Sequence, residues 1–274
     1  MGEDRSGCDP VIVVVPCFNE ARRLDPGAFR DFAASRDWLR LVFVDDGSQD
    51  GTQGLLEDLV KEPHGRLELL PLPHNVGKAE AVRQGILHGL EAGAASVGFW
   101  DADLATPLEE MDRLREALRT RPRLEVVIGS RVRLLGHRIE RHIWRHYFGR
   151  VAATLVSRLL TLPVYDTQCG AKLFRVCPGV RDAFRTPFAT RWEFDVEVLA
   201  RWLLRHRSEG QRDVDLRILE MPLERWRDVA DSRMTPADFF RSPLDLARLW
   251  RRYARPLRQP ARHRVAGPEP GAGR

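Results

Sequence analysis

The stretch VIVVVPCFNE, Val11–Glu20, decides the fold. Val11–Val15 are all β-branched and apolar, with no polar residue at every second position. Such a run fits a strand covered on both faces, the situation of a parallel sheet. Working outward, similar runs recur at Leu41–Val44, Leu67–Leu70, Val97–Trp100 and Val126–Ile128. Helical patterns lie between them: Glu20–Arg36, Thr52–Val60, a helix opened by Asn75 and Gly77 that reaches Leu90, and Pro107–Leu118 with its proline near the first turn. This alternation predicts an α/β chain with a mostly parallel sheet flanked by helices and joined by right-handed crossovers.

In open parallel sheets ligands bind beyond the carboxyl ends of the strands. Every predicted strand here ends in polar residues. Asn19 and Glu20 follow the first, Asp45 and Asp46 the second, and His74, Asn75, Gly77 and Lys78 the third. Asp101 and Asp103 follow the fourth, and Ser130 and Arg131 the fifth. A dinucleotide site would need GxGxxG after the first strand, where PCFNEA stands instead, so a nicotinamide oxidoreductase is disfavoured. VGKAEA lacks the spacing and the hydroxyl of a phosphate-cradling GKS/T loop. Two carboxylates spaced i, i+2 at a strand end can instead turn toward one hard cation. Mg²⁺ or Mn²⁺ takes such oxygens and keeps positions open for substrate phosphates. Lys78 and Arg131 would add positive charge to a departing diphosphate. The bland alternative for Asp101 and Asp103 is a turn or helix cap before Pro107.

The chain has 274 residues, a formal net charge of +5 and a pI near 9.4, which suggests a polyanionic partner. Lysine occurs only at Lys61, Lys78 and Lys172. The four cysteines, Cys8, Cys17, Cys169 and Cys177, have neither CxxC nor zinc spacing and read as reduced thiols of a cytoplasmic protein. The start MGEDRSGCDP lacks the apolar core of a signal peptide. No stretch reaches the roughly 18 apolar residues of a spanning helix. Residues 1–10 are expected to be flexible, 11–255 to form a single domain, and the Pro/Gly/Arg-rich 256–274 to be a disordered tail.

In the second half, Glu140–Thr161 and Thr190–His206 read as helices, Arg217–Met221 as a strand, and Pro243–Arg255 as a last helix between prolines. The first of these carries a winding apolar stripe through Ile143, Tyr147, Val151, Leu155 and Leu159, beside Arg138, Arg141, Arg145, Arg150 and Arg158. The last places Leu246, Leu249, Trp250 and Tyr253 among Arg248, Arg251, Arg252 and Arg255. Basic amphipathic helices suit a membrane interface, where arginines such as Arg138 and Arg141 could hold a lipid phosphate. An ordinary core-packing helix with a solvated face is the competing reading.

Five motifs in order, VVVPCFNEARRL, VFVDDGSQDGT, NVGKAEAVRQGI, FWDADLATP and VIGSR, resemble the GT-A glycosyltransferases of family 2, with a Rossmann-like sheet and an acceptor-side elaboration. DTQCGAKLFR, RWEFDVEVLAR and MPLERWRDVADSRM further resemble the dolichyl/polyprenyl-phosphate β-glucosyltransferase branch. The resemblance implies that Pro16, Asn19, Glu20, Asp45 and Lys78 line the nucleoside pocket, with Asp46 and Gly77 beside them. It implies that Asp101 faces ribose and metal, Asp103 ligates the metal and Arg131 touches the diphosphate. Asp166, Gln168 and Lys172 would lie near sugar or acceptor. The implied reaction moves glucose from UDP-glucose to a polyprenyl phosphate with inversion; the cysteines point to the cytoplasmic side and the two basic amphipathic stretches to peripheral contact with the membrane. Related mannosyltransferases often add a metal-ligating glutamine two residues after the second aspartate. Ala105 stands there, so phosphates and water would complete the coordination. The branch also usually carries a membrane-spanning segment, for which this sequence offers no candidate.

A hydroxyl acceptor would need a general base, for which Asp195 is the candidate, flanked by Glu193 and Glu197. The competing role for Asp195 is to position the acceptor or pair with a cation. A phosphate acceptor, with a second pKa of about 6, needs no base. Two alternatives therefore stand beside the lipid reading. One is the same fold acting on a small hydroxylated molecule. The other is a basic nucleic-acid-binding protein, for which no stacking aromatics or known module are visible.

Overall fold

The structure is a computed structural model describing residues 9–132, 135–136, 138–139, 143–211, 213–229 and 236–259; of 138–139, 143–151 and 236–240 only the backbone is described. Five strands, β1 (Val11–Cys17), β2 (Leu39–Asp45), β3 (Leu67–Pro71), β4 (Ser96–Trp100) and β5 (Val126–Ser130), alternate with α1 (Pro26–Ala34), α2 (Thr52–Leu59), α3 (Lys78–Glu91) and α4 (Glu110–Thr120). The second half adds β6 (Arg138–Ile139), α5 (Ile143–Leu160), β7 (Ala171–Arg175), α6 (Pro178–Phe184), α7 (Phe194–Ser208), β8 (Ile218–Pro222), β9 (Arg225–Trp226) and α8 (Pro236–Arg258).

Seven strands form one sheet in the order β3-β2-β1-β4-β7-β5-β8, and β6 pairs with β9 apart from it. β1 is parallel to β2 in the register Val11↔Leu39 and to β4 in the register Val11↔Ser96. Every residue of β4 and β5 is buried, as runs without polar alternation require. The sheet is parallel except for β7, which enters antiparallel between β4 and β5 in the registers Trp100↔Ala171 and Ile128↔Lys172. Because β7 runs downward, the residues before it, Asp166–Gly170, stand at the same edge as the carboxyl ends of the parallel strands. The sheet therefore gathers two sets of loops from different halves of the chain on one rim.

Several helices differ from their predicted bounds, α7 among them, which starts at Phe194 rather than Thr190. α1 starts at Pro26 rather than Glu20: Asp25 caps it, accepting the Ala28 N–H at 3.0 Å, and Pro26 takes the first turn where its missing N–H costs nothing. Residues 20–24 form a turn instead, with the Arg23 and Leu24 N–H groups both on Glu20 O at 2.9 Å. α4 starts at Glu110 rather than Pro107, after turns in which Glu110 and Met111 donate to Pro107 and Leu108. α8 runs from Pro236 through Pro243 and Pro256 to Arg258, longer than the predicted Pro243–Arg255. Residues 1–8 and most of the predicted tail lie outside the described residues.

An aromatic chain fixes the second half on the sheet. Phe99 of β4 packs on Phe174 of β7 and Phe194 of α7, at centroid distances of 6.4 and 5.6 Å. Phe184 and Phe188 continue it through edge contacts at 5.6 and 5.9 Å. Offset and edge-on ring pairs of this kind each add about 0.5–1.5 kcal/mol beyond area burial. Their consequence for the site is positional: the first turn of α7 is held over the ends of β4 and β7.

Candidate active site

On the β2 side of the rim, two loops are laced together. Asn19, in the left-handed region at φ 54°, donates its N–H to Ser48 Oγ at 2.9 Å and accepts the Gln49 N–H at 2.8 Å. The Glu20 N–H donates to Thr52 Oγ1 at 2.7 Å, while Arg23 forks onto the Glu20 carboxylate at 2.8 and 2.5 Å. Asp45 accepts the Ser48 N–H at 3.3 Å and the Ser48 hydroxyl. Pro16 and Cys17 pair with Val44 and Asp45 at the floor between these loops. Asp46 instead organises the next loop, accepting the Val76 N–H at 2.7 Å, the Gly77 N–H at 2.9 Å and Asn75 Nδ2 at 3.0 Å. Burial raises the Asp46 pKa, and those backbone N–H groups together with the Arg191 charge oppose the rise. Asp46 thus shapes the loop that delivers Lys78, the first residue of α3.

Lys78 Nζ meets Asp101 Oδ1 at 2.5 Å. Burial works against its ammonium, but Asp101 outweighs burial and holds the Lys78 pKa above the ordinary lysine value. Asp101 is further seated by its own N–H, which donates to Gly170 O at 2.9 Å. The fit to Gly170 is close: a Cβ there would lie 1.9 Å from Asp101 Oδ2. Asp103 Oδ1 accepts the Ala105 N–H at 3.0 Å across a turn in which Leu104 takes φ 52°. Burial and the neighbouring Asp101 charge raise the Asp103 pKa, while Lys78 and Arg23 oppose the rise. Lys78 neutralises one acid of the pair, and the other is left pressed against like charge. That is the donor chemistry a hard divalent cation satisfies, so Asp101 and Asp103 fit Mg²⁺ or Mn²⁺ as a two-carboxylate set.

On the β7 side, Lys172 is 1% exposed and splits its bonds between Asp195 Oδ1 and Cys169 O, both at 2.6 Å, over the Phe99 ring. Burial raises the Asp195 pKa, and Lys172 and Lys78 counter it, so Asp195 stands within electrostatic reach of the acidic pair. Gln168 donates to Glu193, which also accepts from Ser242 of α8. Glu197, by contrast, faces away from the rim. It holds Arg201 at 2.8 Å, Tyr253 Oη at 2.7 Å and the Ala189 N–H at 2.7 Å. Arg131 forks onto Asp166, Nε and Nη2 each at 2.7 Å, and its N–H adds a third bond at 3.0 Å. Burial depresses the Arg131 pKa and Asp166 more than restores it. Glu220 accepts the N–H groups of Tyr165 and Asp166 at 2.7 and 2.6 Å and fixes that loop from β8. Burial pushes the Cys169 thiol up to about 12, which makes it a packed group rather than a nucleophile. The side chain of Arg138 and all of Arg141 lie outside the described residues.

A family model for glycosyl transferase family 2 matches residues 12–177, more than half of the chain. The chain belongs to this family. It is 29% identical over 249 residues to dolichyl-phosphate beta-glucosyltransferase ALG5C of Trichomonas vaginalis, covering 86% of this chain and 69% of that one. It is 31% identical over 262 residues to dolichyl-phosphate beta-glucosyltransferase of Drosophila melanogaster, covering 88% and 74%. Among solved structures it resembles glucosyl-3-phosphoglycerate synthase of Mycobacterium tuberculosis in complex with Mn²⁺ and UDP-glucose. There the TM-score is 0.57 at 19% identity, covering 89% of this chain and 76% of that one, a likeness of fold. The predicted GT-A sheet is therefore the observed one, and the protein is a glycosyltransferase.

Three features of this glycosyltransferase were not singled out from sequence. Arg191, just before α7, donates to Asn75 Oδ1 at 3.0 Å and lies against Gly77. Gly170 is needed for space beside Asp101, which no local pattern announces. On the opposite rim, Glu125 accepts from His206 Nε2 at 2.7 Å, Trp202 Nε1 at 2.9 Å, Cys177 Sγ at 3.2 Å and Arg217 at 2.8 Å. Burial alone would raise the Glu125 pKa; the four donors hold it instead at about 2. Glu125, Cys177 and His206 are the cluster of three potential metal ligands among the described residues. The hydrogen bonds account for their arrangement.

The apolar stripe of α8 is turned inward: Leu249 and Tyr253 are buried, and Leu246 and Trp250 pack on the core. Arg248, Arg251, Arg252 and Arg255 occupy the exposed face. In α5, Val156, Leu159 and Leu160 are buried and Leu155 is exposed. Core packing thus explains Leu246, Leu249, Trp250 and Tyr253 of α8, whose exposed surface carries the four arginines and Leu244. Among the described residues, no helix is long and apolar enough to cross a membrane.

Proposed function

We propose that this glycosyltransferase moves glucose from UDP-glucose to a polyprenyl phosphate, inverting the anomeric carbon in a single displacement. The observation that carries the acceptor reading is the Lys172–Asp195 pair at 2.6 Å, with Lys172 sealed from solvent. Burial raises the Asp195 pKa and Lys172 only opposes that rise, but the ammonium occupies Asp195 Oδ1, so that oxygen is engaged with Lys172 and not free to take a proton from an acceptor. An acceptor that arrives already ionised does not need a base, and a phosphate monoester is such an acceptor. Asp195 then positions rather than deprotonates. The likeness to two dolichyl-phosphate β-glucosyltransferases supports the same choice.

In this reading the laced loops around Asn19, Glu20 and Asp45 receive the uridine, while Asp46 sets the loop of Gly77 and Lys78 beside it. Asp101 and Asp103 would hold Mg²⁺ or Mn²⁺, which when bound supplies charge neutralisation for the departing diphosphate. Lys78 adds a fixed positive charge at the same place. Arg131, forked by Asp166, is oriented before substrate arrives, so its field costs no reorganisation during the reaction. Gln168 and Glu193 border the sugar side. The exposed arginines of α8 are suited to the anionic surface on which a lipid phosphate is embedded, consistent with a peripheral protein on the cytoplasmic face.

The test is a transfer screen with UDP-glucose, UDP-galactose and GDP-mannose, with and without Mn²⁺ or Mg²⁺. Each donor is paired with a polyprenyl phosphate or with a small hydroxylated acceptor such as a phosphoglycerate. The reading expects metal-dependent glucosylation of the lipid phosphate and cosedimentation with anionic liposomes. Transfer to the hydroxyl acceptor alone would replace it with the soluble-acceptor alternative.

A further inference from the structure

The arginines around the rim are almost all matched to carboxylates. Arg23 forks onto Glu20, Arg83 onto Glu80 and Arg131 onto Asp166. Arg191 is different. It is exposed, and among the described residues it makes no ion pair and one hydrogen bond, to the neutral Asn75 Oδ1. Its seat is nevertheless built. A Cβ at Gly77 would stand 2.7 Å from Arg191 Nε, and Gly77 holds φ +95°, so the backbone opens to admit the guanidinium. Asn75, its anchor, is itself tied to Asp46 Oδ2 at 3.0 Å. Asp46 already accepts three hydrogen bonds from residues 75–77, so that loop is held without Arg191.

The position matters as much as the charge. Arg191 belongs to the segment leading into α7, whose first turn carries Asp195 beside β7. Its side chain crosses to the loop that carries Lys78, from the acceptor half to the donor half. A planar guanidinium fixed at one corner, with no ion pair among the described residues and only a through-space attraction to Asp46, is matched to phosphate oxygens, which it binds in a fork.

We propose that Arg191 is a phosphate ligand of the donor, a clasp from the acceptor half that closes on the diphosphate of the bound nucleotide. The assignment rests on the nucleotide-sugar reading above. It favours the donor over the acceptor phosphate because Arg191 shares its loop contact with Lys78.

Calorimetric titration of UDP with Mn²⁺ into the wild type, Arg191→Met and Arg191→Lys tests this, with phosphate-free uridine as a second probe. Methionine keeps an unbranched stem against Gly77 and removes the charge. A lost charge-assisted phosphate bond should weaken UDP binding about tenfold or more in Arg191→Met, with lysine recovering part of it. Uridine affinity and the melting temperature should stay at their wild-type values. UDP binding within twofold of wild type in Arg191→Met would overturn the clasp, as would an equal loss with uridine. A rise confined to the KM for the lipid phosphate, with UDP affinity intact, would overturn the donor assignment. A wild-type protein that does not bind UDP would instead overturn the reading on which the clasp rests. If Arg191→Met unfolds, Arg191→Lys and Arg191→Gln carry the same comparison.

Discussion

Gly170→Ala is the sharpest probe of the acidic pair, because it changes one methyl group outside the pair itself. The new Cβ would lie 1.9 Å from Asp101 Oδ2 and 2.2 Å from its Cγ, whereas real Cβ contacts stay beyond 3.0 Å. The carboxylate must therefore retreat by about 1 Å or rotate away, and misplacement on that scale can cost 10²-fold in rate. Retreat also breaks the 2.5 Å contact with Lys78 Nζ. Gly170 does not occupy the left-handed region, so alanine adds no backbone strain there. The folding cost should be that of local overpacking, about 1–3 kcal/mol. The expected result is a folded protein whose transfer from UDP-glucose falls by roughly 10²-fold, with a raised Mn²⁺ requirement, since a cation held by the proposed pair would lose an oxygen. The assay is initial rate against Mn²⁺ concentration, with melting temperature measured on the same preparation. Wild-type rate and metal dependence in Gly170→Ala would refute the claim that the Asp101 carboxylate is needed where it stands.

Asp103→Ala should abolish transfer with little change in melting temperature, because the Asp103 side chain makes one backbone hydrogen bond across its own turn; retained activity would remove it from the metal set. Asp195→Asn leaves the Lys172 ammonium buried against a neutral group, so urea unfolding should show a loss of about 3–5 kcal/mol. Adding Lys172→Met should return much of that stability without returning activity, and an additive double loss would contradict a coupled pair. For Glu125 the folded pKa of about 2 lies below the ordinary 4.5, so its contribution is complete above the ordinary value and is lost as pH falls from 4.5 toward 2. Glu125→Gln should lower stability at neutral pH by a few kcal/mol, and the gap from wild type should close in acid across that window; a constant gap would place the stabilisation elsewhere.

Much of this architecture is legible in the residues because buried parallel strands write an unbroken apolar run. The five strands of the first half and the acids after them follow from that pattern. What escapes it depends on distance along the chain. Nothing local in AKLFR says that it enters between β4 and β5 and runs against them. The contact of Gly170 with Asp101 spans 69 positions and is a matter of empty space, which leaves no mark in composition. The roles of Glu20 and Asp46 were also invisible: both are rim acids, and only the fold shows Glu20 forked by Arg23 and Asp46 bound to the loop before α3. The start of α1 could have been read correctly, since Asp25 and Pro26 are a cap and a first-turn proline that the charge alternation of Glu20–Arg36 obscured.

The antiparallel pairing of β5 with β7 has an architectural consequence. The polypeptide leaves the sheet at Ser130 and returns at Ala171 on the adjacent strand, and the Arg131–Asp166 fork clips the two feet of that excursion together. Exit and re-entry are thus defined without reference to what lies between them. The excursion is not free of the rest of the fold, because Val156, Leu159 and Leu160 of its helix are buried in the same core that backs the rim.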